Sequence, residues 1–270
     1  MRQWRTLCGF ALLSSILRRV ADILIEVTLT NLPVLAGWEQ MTMGIKGILI
    51  DLGDTLMFID EKKNQKYVKG LLSILNKHGS TCSVDDLAMH LSNLYYSSSK
   101  GEFKNHNEYW KFLLTSLKLP FGPQLVNELE KFWNQNHQTL FKLYDRVVPV
   151  LVSLQQKYKL VLVSNCSLGM LEVISALGID AFFEAIILSY QFGVRKPDKR
   201  IYIEALQRAR LQTHECIFVA DEISDLEGAR MVGLRTLLVR QGSHTTHEAT
   251  DPDFKPDFEC NSISEITTIL

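Results

Sequence analysis

Five short apolar runs recur along the chain, and each of them ends in polar or charged residues. Unbroken apolar runs of this length are typical of strands that are buried on both faces, as in a parallel sheet. Helical patterns lie between some of the runs, at Val150 to Gln156 and at Ile201 to Arg208. This alternation predicts an α/β fold with a doubly wound parallel-sheet (Rossmann-like) core. The five runs cover residues 46–51, 158–165, 185–189, 216–221 and 235–240.

A second pattern fills residues 60–144, where apolar positions recur at helical spacing. Capping and turn residues such as Gly79, and Ser83 with Asp86, separate its segments. Aromatic side chains are dense here, and at helical spacing they usually form a helix–helix core. We therefore expect an inserted helical domain with helices over residues 63–78, 83–97, 108–117 and 124–141.

Residues with catalytic chemistry follow the predicted strands. Asp51 ends the first strand, Ser164 and Asn165 end the second, Lys196 comes shortly after the third, and Asp221 ends the fourth. In open α/β sheets, ligands bind outside the carboxyl ends of the strands, so these residues are candidates for one site. Taken singly, each residue type also has an ordinary explanation, as a solvated aspartate, a helix N-cap or a surface lysine.

The spacing of these residues suits phosphoryl chemistry. Asp225 lies about one helical turn beyond Asp221, and two carboxylates so placed can converge on a hard cation such as Mg²⁺. A lysine such as Lys196, held at a strand end, can neutralise a transferring phosphoryl group. The hydroxyl of Ser164 can donate to a phosphate oxygen. Gly228 and the alanine after it suit close packing of a helix on the sheet.

In this order, the segments resemble the haloacid dehalogenase superfamily of hydrolases, most of whose members are phosphatases. The resemblance covers roughly residues 45–270, and its most specific parts are Gly193 to Asp198 and Ala220 to Ala229. It implies that the helical insertion is a cap that closes over the site. It also implies Mg²⁺ as the cofactor and a small, phosphorylated molecule as the substrate.

The resemblance assigns a role to each matched residue. Asp51 matches the nucleophile that attacks phosphorus and forms an aspartyl-phosphate. Thr55 matches a residue that supports the nucleophile loop, and Lys196 matches the charge-neutralising lysine. Ser164 matches the phosphate-binding hydroxyl, with Asn165 behind it. The implied metal ligands are Asp51, the backbone carbonyl of Gly53, Asp221 and Asp225, the last as a second or outer-shell ligand.

Gly53 departs from the family pattern. Phosphatases of this family usually carry a second aspartate there, which protonates the leaving oxygen and then activates water. Such acid–base help is worth about 10²–10⁴ in rate. Asp54 comes one residue late, so we expect its side chain to point elsewhere unless the turn shifts in register.

Three alternatives therefore stay open. The first, which we prefer, is a Mg²⁺-dependent phosphatase that is slow or that uses Asp54, water or a cap residue as its acid. The second is a 2-haloacid dehalogenase-type hydrolase, in which Asp51 attacks carbon. The third is a catalytically weak binding protein on the same fold, because a fold does not determine a function.

The composition agrees with an enzyme of two domains. A chain of 270 residues has room for a sheet domain and a smaller one, and we assign residues 43–60 and 145–270 to the core and 61–144 to the cap. The net charge of −1 provides no basic field for nucleic acid. The five cysteines form no CxxC motif, which favours reduced thiols. His244 and His247 lie in a polar loop and are interpreted as solvated.

Residues 1–42 do not fit the predicted fold and form an N-terminal extension. Arginines flank an apolar stretch from Leu7 to Leu17, a pattern compatible with a presequence. The stretch is too short to span a bilayer, so we expect no stable membrane span. A start at Met41 or Met43 is the alternative. We favour that start, or a loosely packed helical extension, and a cytoplasmic location over targeting.

Overall fold

Eight strands occur in the computed structural model, which describes residues 44–242 and 251–270. Six of them form one sheet in which every neighbouring pair is parallel, and the other two, β2 and β3, pair antiparallel. The strands are β1 (Gly47–Ile50), β2 (Met57–Ile59), β3 (Phe141–Leu143), β4 (Lys159–Ser164), β5 (Ala185–Leu188), β6 (Cys216–Ala220), β7 (Arg235–Val239) and β8 (Phe258–Cys260). The order across the large sheet is β5-β4-β1-β6-β7-β8, which places β1 between β4 and β6.

A helical segment joins β2 to β3. Its four helices are α1 (Glu61–Lys77), α2 (Val84–Ser99), α3 (His106–Ser116) and α4 (Pro123–Asn136). Side-chain caps fix three of the starts: Asp60 accepts from the amide of Lys63, Asn105 from that of Glu108, and Ser83 forms a capping box with Asp86. These starts agree closely with the predicted ones.

The predicted helix over residues 124–141 is wrong at its end. Helix α4 stops at Asn136, a 3₁₀ turn covers His137–Leu140, and β3 begins at Phe141. The cause is tertiary: Phe141 pairs with Ile59, and the amide of Asp60 donates to the Leu140 carbonyl at 2.8 Å. Strand pairing therefore overrides the helical pattern of the sequence.

The remaining helices lie before, between and after the strands of the large sheet along the chain. They are α5 (Val147–Gln155), α6 (Met170–Ala176), α7 (Ser189–Phe192), α8 (Lys199–Ala209), α9 (Ile223–Met231) and α10 (Ile266–Ile269). Strand residues alternate between the two faces. Leu49 packs with Tyr202 of α8 and Leu226 of α9 in one apolar cluster, whereas its neighbours Ile48 and Ile50 are fully buried outside that cluster. The sheet is thus covered on both faces, and the predicted doubly wound α/β fold is confirmed.

The division into core and cap remains a prediction, since residues 45–268 belong to one compact unit. The predictions for residues 1–42, for the starts at Met41 or Met43 and for His244 and His247 lie outside the described residues. Within the described part of the chain, no helix is both long and apolar enough to cross a membrane. Cys82, Cys166, Cys216 and Cys260 are free thiols.

Candidate active site

Asp51 stands at the carboxyl end of the central strand. Its amide donates to the carbonyl of Val219 on β6 at 2.9 Å, so the chain is still paired with the sheet where the nucleophile candidate begins. The loop then turns back on itself, because the amides of both Leu56 and Met57 donate to the Leu52 carbonyl. Ser164 ends the adjacent strand β4 and Asp221 follows β6, so three neighbouring strands bring their terminal residues to one edge.

Lys196 forms the charged centre of this edge. Its Nζ lies 2.7 Å from Oδ1 of Asp51 and 2.7 Å from Oδ2 of Asp225, and its side chain is only 1% exposed. Burial alone would lower the pKa of Lys196, but the two carboxylates outweigh burial and raise it above its ordinary value. The lysine is therefore a buried permanent cation held between two acidic groups.

The two ion pairs leave the Lys196 ammonium with bonding capacity. Within the described residues, its Nζ makes no hydrogen bond of regular geometry in addition to these close charge contacts. An ammonium has three donors. An anion that enters beside Asp51 would thus find a buried donor that is already charged.

Asn165 ties the end of β4 to the loop that carries Lys196. Its side-chain oxygen accepts from the backbone amide of Lys196 at 2.8 Å, and its side-chain nitrogen donates to the Lys196 carbonyl at 3.1 Å. The backbone of the lysine is therefore held on both sides by one amide group. Asn165 acts as a positioning residue in this geometry, and the sequence had given only its place behind Ser164.

Thr55 and Asp221 form a second, equally buried pair. The Thr55 hydroxyl donates to Oδ1 of Asp221 at 2.9 Å. Desolvation, helped by the nearby charge of Asp51, raises the pKa of Asp221 to about 8. Desolvation also raises the pKa of Asp51, although Lys196 opposes the shift. Two buried carboxyl groups that repel each other favour a cation between them.

The donor set fits Mg²⁺ in part through the backbone. No three Asp, Glu, His or Cys side chains among the described residues gather tightly enough to enclose a metal on their own. Mg²⁺, however, usually keeps several waters and binds through one or two carboxylates together with substrate phosphates. Asp51 and Asp221 are two buried carboxylates of this kind, and the Gly53 carbonyl is the backbone oxygen that the resemblance adds to them. The Lys196 ammonium also pairs with Asp225, which the resemblance makes a second or outer-shell ligand.

In this loop Asp54, and not the glycine before it, adopts the left-handed backbone conformation. Asp54 has a φ of +49°, in the left-handed region that glycine tolerates best, whereas a Cβ added at Gly53 would meet no heavy atom within 4 Å. The Asp54 carboxylate accepts a hydrogen bond from the hydroxyl of Tyr144 at 3.3 Å. Burial, then the Asp54 charge, raises the pKa of Tyr144, so this hydroxyl stays a donor.

A pocket adjoins this edge, and four of the candidate residues line it. Gly53, Asp54, Ser164 and Asn165 line it together with Cys166, whose thiol has its pKa raised by burial to about 12 and is therefore unreactive. Asp51, Lys196 and Asp225 are connected by ion pairs, and Thr55 and Asp221 by a hydrogen bond. Every one of the nine predicted site residues is thus found in the contact network of this edge or on the wall of the adjoining pocket.

Sequence reasoning missed three supporting residues. Tyr144 bonds to Asp54, Tyr95 donates its hydroxyl to the Asn165 carbonyl at 2.8 Å, and Gln241 donates to the carbonyl of Thr55. Gln241 also accepts from the amide of Ile263 at 2.7 Å, so it fastens the nucleophile loop to the C-terminal segment. Tyr95 and Tyr144 stand at no predicted strand end, which was the signal that revealed the others, and Gln241 follows the predicted strand over residues 235–240 but belongs to no motif that was singled out.

Comparisons with known proteins agree with the fold and with the family that the sequence resembles. The family described as haloacid dehalogenase-like hydrolase matches residues 85–239, more than half of the chain. The glyceraldehyde 3-phosphate phosphatase of Pyrococcus abyssi (strain GE5 / Orsay) is 32% identical over 208 residues, which cover 73% of this chain and 82% of that protein. The protein of the same name from Methanopyrus kandleri is 27% identical over 231 residues, covering 84% and 97%.

Solved structures resemble the fold. A 2-haloacid dehalogenase from Pseudomonas syringae pv. Tomato DC3000 superposes with a TM-score of 0.65 at 22% identity, covering 83% of this chain and 97% of that one. A HAD phosphatase from Thermococcus onnurineus gives 0.61 at 19% identity, with the same coverage. The fold and the matches define an α/β enzyme of the hydrolase class. The chain belongs to the haloacid dehalogenase-like hydrolase family, and the resemblance seen in the sequence is confirmed.

Proposed function

We propose that this hydrolase cleaves phosphomonoesters in a Mg²⁺-dependent reaction that uses Asp51 as the nucleophile. The observation that carries the proposal is the contact of Asp51 with the buried Lys196 ammonium at 2.7 Å, at the carboxyl end of the central strand. A cation in that position can bind a phosphate oxygen while it keeps the nucleophile ionised. The relatives named as glyceraldehyde 3-phosphate phosphatases support a phosphatase rather than another hydrolase.

The reaction needs two steps at Asp51. In the first, a carboxylate oxygen bonds to phosphorus while the bond from phosphorus to the ester oxygen breaks, which releases the alcohol and leaves an aspartyl-phosphate. In the second, water attacks phosphorus and returns free phosphate and the Asp51 carboxylate. Lys196 stabilises the charge of the phosphoryl oxygens, and the hydroxyl of Ser164 donates to one of them.

The metal would be held by Asp51, Asp221 and the carbonyl of Gly53. When bound, Mg²⁺ supplies neutralisation of the phosphoryl charge and orientation of the phosphate. The chain's own part is to keep those ligands fixed. Thr55 holds the Asp221 carboxylate by its hydrogen bond, and the backbone bond from Asp51 to β6 fixes the start of the loop.

Asp54 is our candidate for the group that protonates the leaving oxygen. Its residue lines the pocket that adjoins Ser164, and Tyr144 restrains its carboxylate. A proton passed to the ester oxygen completes the leaving alcohol, and the same carboxylate can then accept a proton from the attacking water. Asp54→Asn should then lower kcat with a smaller change in KM, and unchanged kcat would assign the proton to water or to another residue.

The decisive experiment measures phosphate release from a general aryl phosphate, with and without Mg²⁺. Wild-type turnover should depend on Mg²⁺ and fall to the protein-free rate in Asp51→Asn. Asp85→Asn, an exposed aspartate at the start of α2, is the matched control and should retain wild-type turnover. Equal turnover in wild type and Asp51→Asn would refute the mechanism.

Placing an aspartate at position 53, where phosphatases of the family usually carry one, tests whether Gly53 slows the reaction. Gly53→Asp should raise kcat, with a ceiling of about 10²–10⁴-fold, because acid–base help is worth that much and because a side chain there meets open space. The double variant Gly53→Asp/Asp54→Gly also removes the left-handed aspartate. If neither variant exceeds the wild-type rate, protonation of the leaving group does not limit this enzyme.

Dehalogenation is the second candidate, and Gly53 is the observation that favours it, since haloacid dehalogenases proper also lack the second aspartate. Asp51 would then attack carbon and displace halide, with no need for a metal. The retained pair of Asp221 and Asp225 weighs against it. Halide release from a 2-haloacid without Mg²⁺ would establish this alternative, whereas saturable binding without any turnover would favour a binding protein.

A further inference from the structure

The pocket beside the catalytic edge is lined by both polar and apolar side chains. We call its polar residues, Ser164, Asn165 and Asp54, the floor, where the phosphoryl group would bind, and its apolar residues the wall. The hairpin formed by β2 and β3 and the start of α6 provide most of the wall. The apolar residues are Met57, Phe58, Ile59, Phe141 and Met170.

No basic side chain lines this pocket in the part of the chain that the structure describes. Two cations of the neighbouring loop have other partners: Lys196 pairs with Asp51 and Asp225 and would serve the phosphate, and Arg195 donates to the Ser99 hydroxyl while its guanidinium lies 5.0 Å from the centre of the Tyr96 ring. A second negative charge on the substrate would have to enter without a partner. Burying such a charge is costly, and Asp54 would repel it as well.

The pocket is also small. Its volume is about 220 Å³, less than the roughly 300–1,000 Å³ of sites that hold drug-sized ligands. The hydroxyl of Tyr95 is committed to the Asn165 carbonyl, so that side chain contributes mainly its ring to the wall. Few donors and acceptors are left in the wall to recognise a polyhydroxylated group.

Resting on the phosphatase proposed above, we infer that the substrate is a phosphomonoester whose leaving group is compact, uncharged and largely apolar, such as an aryl or short alkyl alcohol. The floor binds the phosphate that all substrates share. The wall at the β2–β3 hairpin chooses among the alcohols, and Ile59 is a specificity-determining residue of that wall. An ester that carries a carboxylate beside its phosphate should be a poor substrate.

Non-hydrolysable phosphonates test this inference by binding alone. In the presence of Mg²⁺, wild-type protein should bind phenylphosphonate about tenfold or more tightly than phosphonoacetate, which has a charged carboxymethyl group in place of the ring, since one well-buried apolar group is worth such a factor. Isothermal titration measures both affinities. Equal affinity, or tighter binding of phosphonoacetate, would overturn the inference.

A charge placed in the wall should reverse the preference. Ile59 is 49% exposed, so we expect the Ile59→Lys variant to fold. This variant should bind phenylphosphonate more weakly, and phosphonoacetate more tightly, than the wild type does. Met89→Lys, on the exposed side of α2 and 56% exposed, is the matched control. Ile59→Ala shortens the side chain without adding a charge, so only the affinity for phenylphosphonate should fall. An Ile59→Lys variant that behaves like Met89→Lys would contradict the assignment.

Inorganic phosphate, titrated in parallel, separates this inference from the function beneath it. If phosphate binds and phenylphosphonate binds no more tightly than phosphate, the inference of an apolar leaving group is overturned while the phosphatase proposal stands. If phosphate does not bind at all, both are overturned.

Discussion

The sheet edge and the helical segment both bury a titratable cation, and they treat it in opposite ways. At the edge, Lys196 keeps its charge because two carboxylates lie within 2.7 Å of Nζ. In the helical segment, His137 lies flat against the ring of Trp133, 3.6 Å between centroids, and burial lowers its pKa to about 3. Charge is kept at the candidate site, where carboxylates surround the cation, and removed where apolar and aromatic groups surround it.

The apolar clusters near Lys196 and near His137 also differ in composition. The cluster beneath the sheet edge is mainly aliphatic and comes from strands and helices that lie far apart in sequence. The cluster in the helical segment is rich in aromatic rings, with Trp110 and Trp133 in edge contact at 5.7 Å. The first surrounds a fixed arrangement of charges, and the second surrounds a neutral histidine.

The largest effect is expected at the edge. Lys196→Met would leave Asp51 and Asp225 buried without their cation, and removing one partner of a buried ion pair costs about 3–5 kcal/mol of unfolding free energy. Phosphate release should be lost as well. Urea unfolding at pH 7 measures the first effect and the aryl phosphate assay the second.

A second substitution separates these two effects. In Lys196→Met/Asp225→Asn, one of the uncompensated carboxylates is removed, so part of the stability should return while the activity should not. Full stability in the single variant would mean that the charges are relieved in another way, and the contrast with His137 would fail.

An intermediate effect is expected at His137 as the pH falls. The folded-state pKa of about 3 is below the ordinary value of the unfolded chain, about 6.5, so the unfolded state binds the proton first. The stability that neutral His137 contributes above pH 6.5 is therefore lost progressively toward pH 3. By pH 4.5 the loss should reach about 2–3 kcal/mol, at 1.4 kcal/mol for each pKa unit.

His137→Asn removes this titration. Urea unfolding at pH 7 and at pH 4.5 should give a smaller difference between the two values than in wild type, whatever the variant costs at pH 7. His214→Asn, an exposed histidine before β6, is the matched control. If wild type and His137→Asn lose the same amount of unfolding free energy on acidification, His137 is not a buried neutral histidine whose protonation destabilises the fold.

The smallest effect is expected where the two regions meet. Tyr95→Phe removes the hydroxyl that α2 donates to the Asn165 carbonyl, and a single neutral hydrogen bond is worth about 0.5–1.5 kcal/mol. The loss should appear as a modest decrease in stability and in kcat/KM. Tyr96→Phe, on the adjacent exposed tyrosine, is the control, and equal changes in the two variants would deny Tyr95 a role in joining the regions.

The strand ends and most of the helix starts could be predicted from the sequence because they rest on local signals. Asp51, Ser164 and Asp221 each follow an apolar run, and Ser83 and Asp86 form their cap within one turn. The β2–β3 hairpin was missed because strands of three residues are too short to show a period of two. Its pairing also ended a helix that the local pattern would have continued.

The supporting contacts of the site could not be predicted, because their partners are distant in sequence. Tyr144 is 90 residues from Asp54, and Gln241 is 186 residues from Thr55. The sequence suggested that Asp54 points away from the chemistry. In the structure Asp54 has a left-handed backbone, and the hydroxyl of Tyr144 restrains its carboxylate. The part of Asp54 in catalysis remains a proposal.

Gly228 in α9 has no side chain, and a Cβ added there would lie 2.5 Å from the carbonyl oxygen of Pro197. The helix that carries Asp225 is therefore in direct backbone contact with the loop that carries Lys196. One methyl group at this position would act as a spacer between the two charges. Residue 228 should consequently tolerate little variation during evolution, as a catalytic position does, although none of its atoms needs to touch a substrate.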